Sequence, residues 1–469
     1  MTGPLNDTIC AIATPVGEGG VGIVRLSGEK AVDVAAALVA LRAGGRLDSA
    51  ACRVLHHADL VDPADSSRRT LLDEALVVVM RAPHSYTGED VVELQCHGGM
   101  LILQTVCEAL LRSGARLAEP GEFTKRAFLH GRLDLAQAEA VLDTIRAKTA
   151  GSLRIAQEQL RGALSDEIDA VREKLIGLLA HVEAGIDFVE EDIAFIPPAE
   201  LSAGLRWAHG AVGRLLAHGR EGRILREGAT AAIIGRPNVG KSSLLNALLR
   251  TDRAIVTPIP GTTRDVLEEV LNIRGIPVRL LDTAGIRETV DPVEQEGVRR
   301  SRAAREQADL LVIVLDGSEP LTEEDRTLLR EAGSNPDHKR LIVVNKTDLP
   351  GRIDLGLFSQ DDPHCAVVSL SAKTGDGLDQ LRDQVRTLLL SPDFETRETV
   401  LVTHLRHQAA LQRALEALSA TLVSVESRAA GELVAMDLRA AIDALGEITG
   451  AVSTDDILDR IFKDFCIGK

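Results

Sequence analysis

Residues 233–246, with the sequence IIGRPNVGKSSLLN, decide the fold of the middle of this chain. They satisfy the phosphate-loop pattern G-x-x-x-x-G-K-[ST], after a strand-like apolar run and before a helical pattern. In such a loop the backbone N–H groups point at a phosphate, the lysine neutralises charge, and the serine hydroxyl suits Mg²⁺. The alternative is a glycine-rich turn without a ligand, against which the complete pattern argues. The predicted nucleotide contacts are Asn238, Val239, Gly240, Lys241, Ser242 and Ser243, with Lys241 also catalytic.

Two segments downstream have the character of nucleotide-dependent switches. In TPIPGTTRD, residues 257–265, Thr263 is placed to complete a Mg²⁺ shell with Ser242, and we predict a catalytic role for it. In VRLLDTAG, residues 278–285, the last four residues are predicted to supply a carboxylate near the metal and a turn that senses the γ-phosphate. The sequence therefore predicts a nucleotide triphosphatase.

A third segment indicates which base is bound. LIVVNKTD, residues 341–348, places Asp348 after a buried strand, where its carboxylate can accept two hydrogen bonds from guanine. Adenine would leave that carboxylate unpaired, so GTP is favoured over ATP. Beyond the phosphate loop, the residues predicted to contact GTP are Thr257, Thr262, Thr263, Asp282, Thr283, Ala284, Gly285, Asn345, Lys346, Asp348, Ser371, Ala372 and Lys373.

The water-orienting group is not where small regulatory GTPases have it. Ile286 follows the DTAG turn, at the place where those proteins have a glutamine. Glu294 is a nearby candidate for the catalytic role, and a solvated carboxylate is the alternative reading. An external arginine and the internal Arg287 are rival solutions.

The length and composition of the chain limit the other functions that it could have. The 469 residues suffice for about three domains, and 45% apolar with 26% charged residues is typical of a soluble globular protein. The net charge of −17 and only 2% aromatic residues argue against a general nucleic-acid-binding surface or a base-stacking platform, which leaves a local basic patch open. Without a targeting or membrane-spanning segment, a cytoplasmic location with six reduced cysteines is expected.

The amino-terminal segment, residues 1–122, alternates strand-like and helix-like runs and is predicted to be an α+β domain. Gly17, Gly19 and Gly22 match a dinucleotide-binding pattern, but a strand-like run follows, so we predict a glycine hairpin. Cys96 and His97 have no second ligand pair in the sequence, and a buried strand end is predicted there in preference to a metal or nucleophile site.

The rest of the chain has apolar residues at the spacing typical of α-helices. Apolar residues spaced by three and four from Leu160 to Val182 predict one long helix, and two further stripes run from Leu411 to Leu422 and from Leu438 to Ile448. We predict one discontinuous all-α domain, residues 123–223 plus 391–469, with an α/β P-loop GTPase domain inserted at residues 224–390. Two separate helical bundles are the alternative.

The chain resembles the MnmE (TrmE) family of tRNA modification GTPases, in the wider TrmE-Era-EngA family. The resemblance runs nearly end to end. Its motifs are SYTGEDVVELQCHGG from residue 85, PGEFTKRAF from 120, LDLAQAEA from 133, GRPNVGKSSLLNAL, GTTRD, DTAGIRET, NKTD and the terminal FCIGK. It implies an amino-terminal folate-binding and dimerisation domain.

The resemblance also implies ligands and residue roles. K⁺ would be held by Asn238, Thr257, Ile259 and Thr262 when two GTPase domains meet, with Glu294 positioning water. A reduced folate, 5-formyl- or methylene-tetrahydrofolate, would be held by Arg25, Glu93, Arg132 and Lys469, where Arg132 departs from the lysine of some relatives. For Cys466 both a thiol role near the folate and a packed chain end are open.

Implied partners are a second copy, the FAD-containing protein MnmG in a heterotetramer, and tRNA, whose wobble uridine would be modified at C5. No membrane is implied. A GTP-controlled binding module for ribosome assembly is the main alternative, and a scaffold that leaves catalysis to its partner is a second. Two further features favour the modification function, namely the family pattern TIxAxATPxGxGGVGIxRxSG, matched by residues 8–28, and the terminal FCIGK.

Overall fold

A computed structural model describes residues 7–15, 17–65, 67, 70–187, 196–252, 270–281, 308–333, 338–358, 362, 364–391 and 400–469. The strands are β1 (Ile9–Ile12), β2 (Gly19–Ser27), β3 (Val39–Leu41), β4 (His56–Val61), β5 (Leu71–Met80), β6 (Val91–Gly98), β7 (Arg116–Leu117), β8 (Ala229–Ile234), β9 (Val270–Ile273), β10 (Ile276–Leu281), β11 (Leu310–Asp316), β12 (Lys339–Asn345) and β13 (Cys365–Ser369).

The helices are α1 (Ala31–Ala36), α2 (Met100–Arg112), α3 (Glu122–Leu129), α4 (Leu135–Arg146), α5 (Ala150–Leu160), α6 (Ala163–Asp187), α7 (Pro198–Ala217), α8 (Gly219–Glu227), α9 (Lys241–Asp252), α10 (Glu323–Ala332), α11 (Leu378–Leu389), α12 (Leu405–Glu426), α13 (Gly431–Thr449) and α14 (Asp455–Lys463). None of these described helices combines the length and the apolar character needed to cross a membrane.

The first of two compact units lies within Met1–Leu142 and Thr449–Lys469. Its seven-stranded sheet has the order β3-β4-β5-β6-β2-β1-β7, antiparallel except where β1 meets β7. Ala75 and Val77 of β5 are buried while Leu76 between them is exposed, the alternation expected of a sheet with one covered face. Residues of α1 and α2 pack in the same core. The predicted α+β architecture is confirmed for this region.

Two local predictions in this sheet are confirmed. The glycine-rich stretch enters β2, which pairs antiparallel with β1, so it forms a hairpin and not a strand-to-helix dinucleotide turn. Cys96 lies 2% exposed near the end of β6, and burial raises the pKa of its thiol to about 12. His97 donates its backbone N–H to Asp73, and its ring Nδ1 lies 2.7 Å from the other oxygen of that carboxylate.

The carboxy-terminal helix completes a small apolar core in the same unit. Leu458 and Phe462 of α14, together with Phe465, pack against Leu135 and Ala138 of α4. Lys125 of α3 also pairs with Asp459 at 3.0 Å. This packing holds the terminal residues 465–469 in the unit that contains the amino-terminal sheet.

The second unit lies within Asp143–Pro258 and Thr262–Ile448. Its six-stranded sheet has the order β13-β12-β11-β8-β10-β9, parallel except for the β9–β10 hairpin. Every residue of β11 is buried because alternate side chains enter two different apolar clusters. The predicted α/β P-loop fold is confirmed.

The helical segments of this unit differ from prediction at one point. The apolar stripe from Leu164 to Val182 lies on one long helix, α6, as predicted, but Leu160 does not belong to it, because α5 ends at Leu160 and α6 begins at Ala163. Gly162 between them has φ of +95°, a left-handed conformation that stops an α-helix. The stripes at 411–422 and 438–448 do lie on single helices, α12 and α13. The division into three domains at the boundaries given above stays a prediction.

Candidate nucleotide-binding site

The phosphate loop connects β8 to α9, as its sequence predicts. Gly240 has φ of +99°, and a Cβ built on it would lie 2.2 Å from Nδ2 of Asn345. At Gly235 a Cβ would lie 2.4 Å from the carbonyl oxygen of Val314. Both glycines of the motif are therefore required by close approach of neighbouring strand ends as well as by backbone conformation.

Lys241 lies at the start of α9 with its side chain turned back over the loop. Its Nζ donates to the carbonyl oxygens of Gly235 and Arg236, at 2.7 and 2.6 Å. Burial lowers the pKa of this ammonium group. A phosphate bound on the loop would counter that effect, since a negative charge favours the charged form of lysine.

Asn345 joins the two halves of the predicted pocket. Its Nδ2 donates to the carbonyl oxygen of Val239 in the phosphate loop at 2.9 Å, and its Oδ1 accepts from the backbone N–H of Ala372 at 3.0 Å. The side chain is 3% exposed. One amide therefore connects the phosphate loop, the end of β12 and the 371–373 loop, a role that the sequence alone does not reveal.

Asp348 is oriented by the loop that was predicted to lie beside it. Its Oδ1 accepts a hydrogen bond from the Ser371 hydroxyl at 2.8 Å, and that hydroxyl also accepts from the backbone N–H of Thr374. Ser371 is 1% exposed, so its position is set by the protein. The carboxylate predicted to read guanine is thereby held in one orientation.

Lys346, with φ of +67°, anchors the same loop to the neighbouring strand. Its Nζ lies 2.5 Å from Oδ2 of Asp316 at the end of β11. Burial alone would raise the pKa of Asp316, but hydrogen bonds from Lys346 and Ser318 outweigh burial and lower it. The buried carboxylate is thus ionised and fixes the lysine stem beside the predicted base site.

Several predicted site residues lie outside the described part of the chain. They are Thr257, Ile259, Thr262, Thr263, Asp282, Thr283, Ala284, Gly285 and Glu294, and also Ile286 and Arg287. Among the residues that are described, no group of three or more His, Cys, Asp or Glu side chains could hold a metal ion. The predicted Mg²⁺ and K⁺ ligands are hydroxyl, carbonyl and amide oxygens, so that observation does not bear on them.

The amino-terminal unit brings three of the four predicted folate residues together. Arg25 on β2 and Glu93 on β6 are cross-strand partners, with Arg25 Nε 2.8 Å from Glu93 Oε1. Burial and the charge of Arg25 lower the pKa of the Lys469 ammonium, and Glu93 partly offsets them. Arg132 donates from Nε to the carbonyl oxygen of Ser85 at 3.1 Å.

Aromatic rings complete this polar cluster, and sequence reasoning missed them. The guanidinium of Arg25 lies 5.5 Å from the ring centre of Tyr86 and 5.7 Å from that of Phe123. Tyr86 is the one tyrosine of the chain and lies in the SYTGEDV motif, which was the available signal. We call Arg25, Glu93, Lys469 and Tyr86 the amino-terminal cluster.

The terminal FCIGK segment is held in place by its backbone. Gly468 has φ of +97°, and a Cβ on it would lie 2.4 Å from the carbonyl oxygen of Ile12. The N–H of Gly121 donates to the carbonyl oxygen of Cys466 at 3.4 Å. Cys466 itself is exposed, and a role for its thiol stays a prediction.

A parallel sheet with a phosphate loop, a buried bridging asparagine and an oriented aspartate defines a P-loop nucleotide-binding protein. The family model described as GTP-binding protein TrmE N-terminus matches residues 8–132, and the MnmE helical domain model matches residues 135–466. The chain belongs to the MnmE family of tRNA modification GTPases, and it is accordingly a GTPase.

Individual relatives of the chain belong to the same family. The chain is 50% identical to a tRNA modification GTPase MnmE from Chloroflexus aurantiacus and 47% identical to one from Carboxydothermus hydrogenoformans, in each case over 99% of this chain and 100% of the relative. Among solved structures, Aquifex aeolicus Era bound to GDP and AlF4⁻ is 30% identical, over 40% of this chain and 66% of that one, with a TM-score of 0.27.

Proposed function

We propose that this GTPase acts with an FAD-containing MnmG partner to place a carboxymethylaminomethyl- or aminomethyl-type group on C5 of the wobble uridine, position 34, of certain tRNAs. The observation that carries the proposal is the match of both family models, which together extend from residue 8 to residue 466. The proposed assembly is a homodimer that forms a heterotetramer with MnmG in the cytoplasm.

The amino-terminal cluster is the proposed site for a reduced folate, 5-formyl- or methylene-tetrahydrofolate. The donor set fits the pterin end of such a ligand, because Glu93 can accept from its N–H groups while Arg25 and Lys469 can donate to its carbonyl oxygens. Tyr86 and Phe123 offer ring faces beside the cation. When bound, the folate would supply the one-carbon unit, and Arg132 and the exposed Cys466 are proposed to lie near it.

For GTP hydrolysis we propose that Ser242 and Thr263 hold Mg²⁺ and that Glu294 positions the attacking water. Asn238, Thr257, Ile259 and Thr262 are proposed K⁺ ligands. Asn238 supports this, because it lies in the phosphate loop with φ of +64°, a left-handed conformation that is uncommon for residues other than glycine. A monovalent cation there would stabilise the charge of the transferring phosphoryl group when two GTPase domains close.

The alternative function is a GTP-controlled module for RNA or ribosome assembly. Such a module does not need the amino-terminal cluster, in which a half-buried lysine, an arginine and a glutamate are gathered from three distant parts of the chain. This arrangement favours an enzyme with a small-molecule ligand over a module that uses GTP hydrolysis only to control its release from RNA.

Mass spectrometry of tRNA wobble nucleosides tests the proposal. Cells that lack the gene are expected to accumulate the unmodified uridine, and the wild-type gene is expected to restore the modified base. A Glu294→Ala gene serves as the comparison for a chain that binds GTP but turns it over slowly. An unchanged nucleoside profile in the deletion strain would refute the proposed function.

The proposed ion chemistry is tested separately by GTP turnover in matched chloride salts. Turnover is expected to be faster in K⁺ than in Na⁺, because Na⁺ is smaller and fits a loop of carbonyl and amide oxygens less well. Glu294→Ala is expected to slow turnover in K⁺ while GTP affinity is kept. Equal rates in the two salts would contradict the K⁺ site, and unchanged turnover would remove Glu294 from the mechanism.

A further inference from the structure

Two chain connections join the nucleotide-binding sheet of the second unit to its helices, and both lie beside one buried carboxylate. The first connection runs from α8 through Gly228 into β8, and the second returns through residues 400–404 into α12. Asp143 of α4 accepts from Nε of Arg226 on the first connection at 2.8 Å. Its other oxygen lies 2.8 Å from Nε2 of His404 on the second.

These three side chains are shielded from solvent. Their exposed fractions are 9% for Asp143, 12% for His404 and 24% for Arg226. Burial alone would raise the pKa of the Asp143 carboxyl, but His404 and Arg226 outweigh burial and lower it. A shielded carboxylate with two partners is costly to disrupt, because removing either partner leaves a charge poorly compensated.

Helix α5 reinforces the same place with uncharged hydrogen bonds. Gln159 donates from Nε2 to the carbonyl oxygen of Leu401 at 2.8 Å, and Ser152 donates to that of Leu225 at the same distance. Glycine at 222 lets α8 approach the second connection, since a Cβ there would lie 2.3 Å from the carbonyl oxygen of Val402. Both connections are thus held by α4 and α5 together.

The N-terminal end of α5 contacts the turn that begins β10, at the opposite end of that strand from the predicted switch. Thr149, the N-cap of α5, donates to the carbonyl oxygen of Gly275 at 2.7 Å, and Gly275 lies in the β9–β10 hairpin. β10 ends at Leu281, directly before the DTAG residues predicted to sense the γ-phosphate. A displacement of β10 would therefore shift α5 through the Thr149 hydrogen bond, and with α5 the two connections that it holds.

We propose that Asp143, Arg226 and His404 form a clasp in which Asp143 is a positioning residue that couples the nucleotide state of the GTPase sheet to the helices of the same unit. The clasp fixes both connections to α4, so a change in the sheet moves the helices as one body. This coupling concerns GTP binding alone, and its test is independent of whether the wobble uridine is the substrate.

Hydrogen–deuterium exchange on the full chain tests the clasp. In the wild type, exchange of residues 150–160 and 400–404 is expected to differ between the complex with GDP and Mg²⁺ and that with a non-hydrolysable GTP analogue and Mg²⁺. Asp143→Asn keeps the size of the side chain and removes its charge. In this variant exchange there is expected to be about tenfold faster with both nucleotides, and the difference between them to disappear.

GTP affinity separates coupling from folding. Asp143→Asn is expected to bind GTP within about twofold of the wild type, because the hydrogen-bond partners of Asp143 are Arg226 and His404, neither of which is predicted to contact GTP. If that variant fails to bind GTP, His404→Gln, which removes only one partner, replaces it with the same expectation. Arg439→Gln, which breaks the exposed pair between Arg439 and Glu183, is the matched control and is expected to keep the wild-type difference.

Three outcomes would overturn the proposal. One is a wild type whose exchange in these segments does not depend on the nucleotide. The second is a clasp variant that binds GTP and keeps the wild-type difference. The third is loss of the difference in Arg439→Gln as well, because the effect would then not be specific to the clasp.

Discussion

The phosphate loop and the amino-terminal cluster both gather charged groups around a proposed anionic ligand, but they are built in opposite ways. The loop is one contiguous stretch between β8 and α9, and backbone atoms hold its lysine. The cluster draws Arg25, Glu93 and Lys469 from two strands and the chain terminus. A site made by local backbone geometry can be read from a motif, whereas a site made by side chains needs the fold.

The two sites also differ in how they treat charge. Lys241 has backbone carbonyl oxygens as its acceptors, and burial lowers its pKa. In the cluster two cations lie close together, and the charge of Arg25 adds to burial in lowering the pKa of Lys469. An anion is therefore expected to stabilise the charged form of each lysine. The stabilisation is expected to be smaller in the cluster, because Glu93 already compensates part of the charge.

The largest predicted effect is that of Asp348→Asn on the base side of the nucleotide site. Asparagine offers one acceptor and one donor group to a guanine edge that presents only donors, so GTP affinity is expected to fall about 10³-fold or more. Titration with a fluorescent GTP analogue measures it. Asp354→Asn, which alters only a hydrogen bond to the N–H of Gly356, is the control. Folate affinity is expected to be unchanged, and a parallel loss there would break the separation of the two sites.

Gly240→Ala is expected to lower GTP affinity about a hundredfold. The added methyl group would lie 2.2 Å from Nδ2 of Asn345 on a backbone with φ of +99°. Strain of this kind costs about 1–3 kcal/mol before the displacement of Asn345 is counted. Gly351→Ala has open space around it and is the matched control. Wild-type affinity in Gly240→Ala would show that the close approach to Asn345 is not needed.

In the amino-terminal cluster, Arg25→Gln is expected to weaken binding of a reduced folate about tenfold, because one charge-assisted contact is lost. Calorimetric titration with 5-formyltetrahydrofolate measures the change, and GTP turnover is expected to stay at the wild-type value. The control is Arg42→Gln, which breaks exposed pairs with Asp59 and Glu74 in the same sheet. Equal folate affinity in Arg25→Gln and the wild type would remove the cluster as the folate site.

The smallest predicted effect is a pH dependence from Lys469. Because burial lowers its pKa, the lysine loses its proton at a pH below the ordinary lysine range, and folate affinity is expected to fall roughly two- to fivefold as pH rises through that point. In the same window the unfolded chain binds more protons than the folded chain, so stability is expected to rise with pH. Lys469→Gln is expected to flatten both profiles, and an unchanged folate profile in that variant would assign the titration to another group.

The predictions that followed from local pattern are confirmed, and the one structural difference in the described part of the chain concerns where a helix begins. The phosphate loop, the glycine hairpin at β1–β2 and the buried strand end at Cys96 are where the sequence places them. The predicted long helix is confirmed from Leu164 to Val182. Only its start at Leu160 was wrong, because apolar spacing continues through the turn at Gly162, where the backbone departs from helical geometry. The exposure of Cys466 depends on how the terminus packs.

The sequence by itself determined the nucleotide-binding fold, the choice of guanine and the family. Glycine and lysine at fixed spacing act through the backbone of one short loop, and such geometry needs no distant partner. Only the tertiary structure decided that Asn345 bridges two loops, that Tyr86 and Phe123 lie beside Arg25, and that Asp143 meets both chain connections. Those contacts join residues far apart in the chain, and they exist only after the apolar cores have brought their elements together.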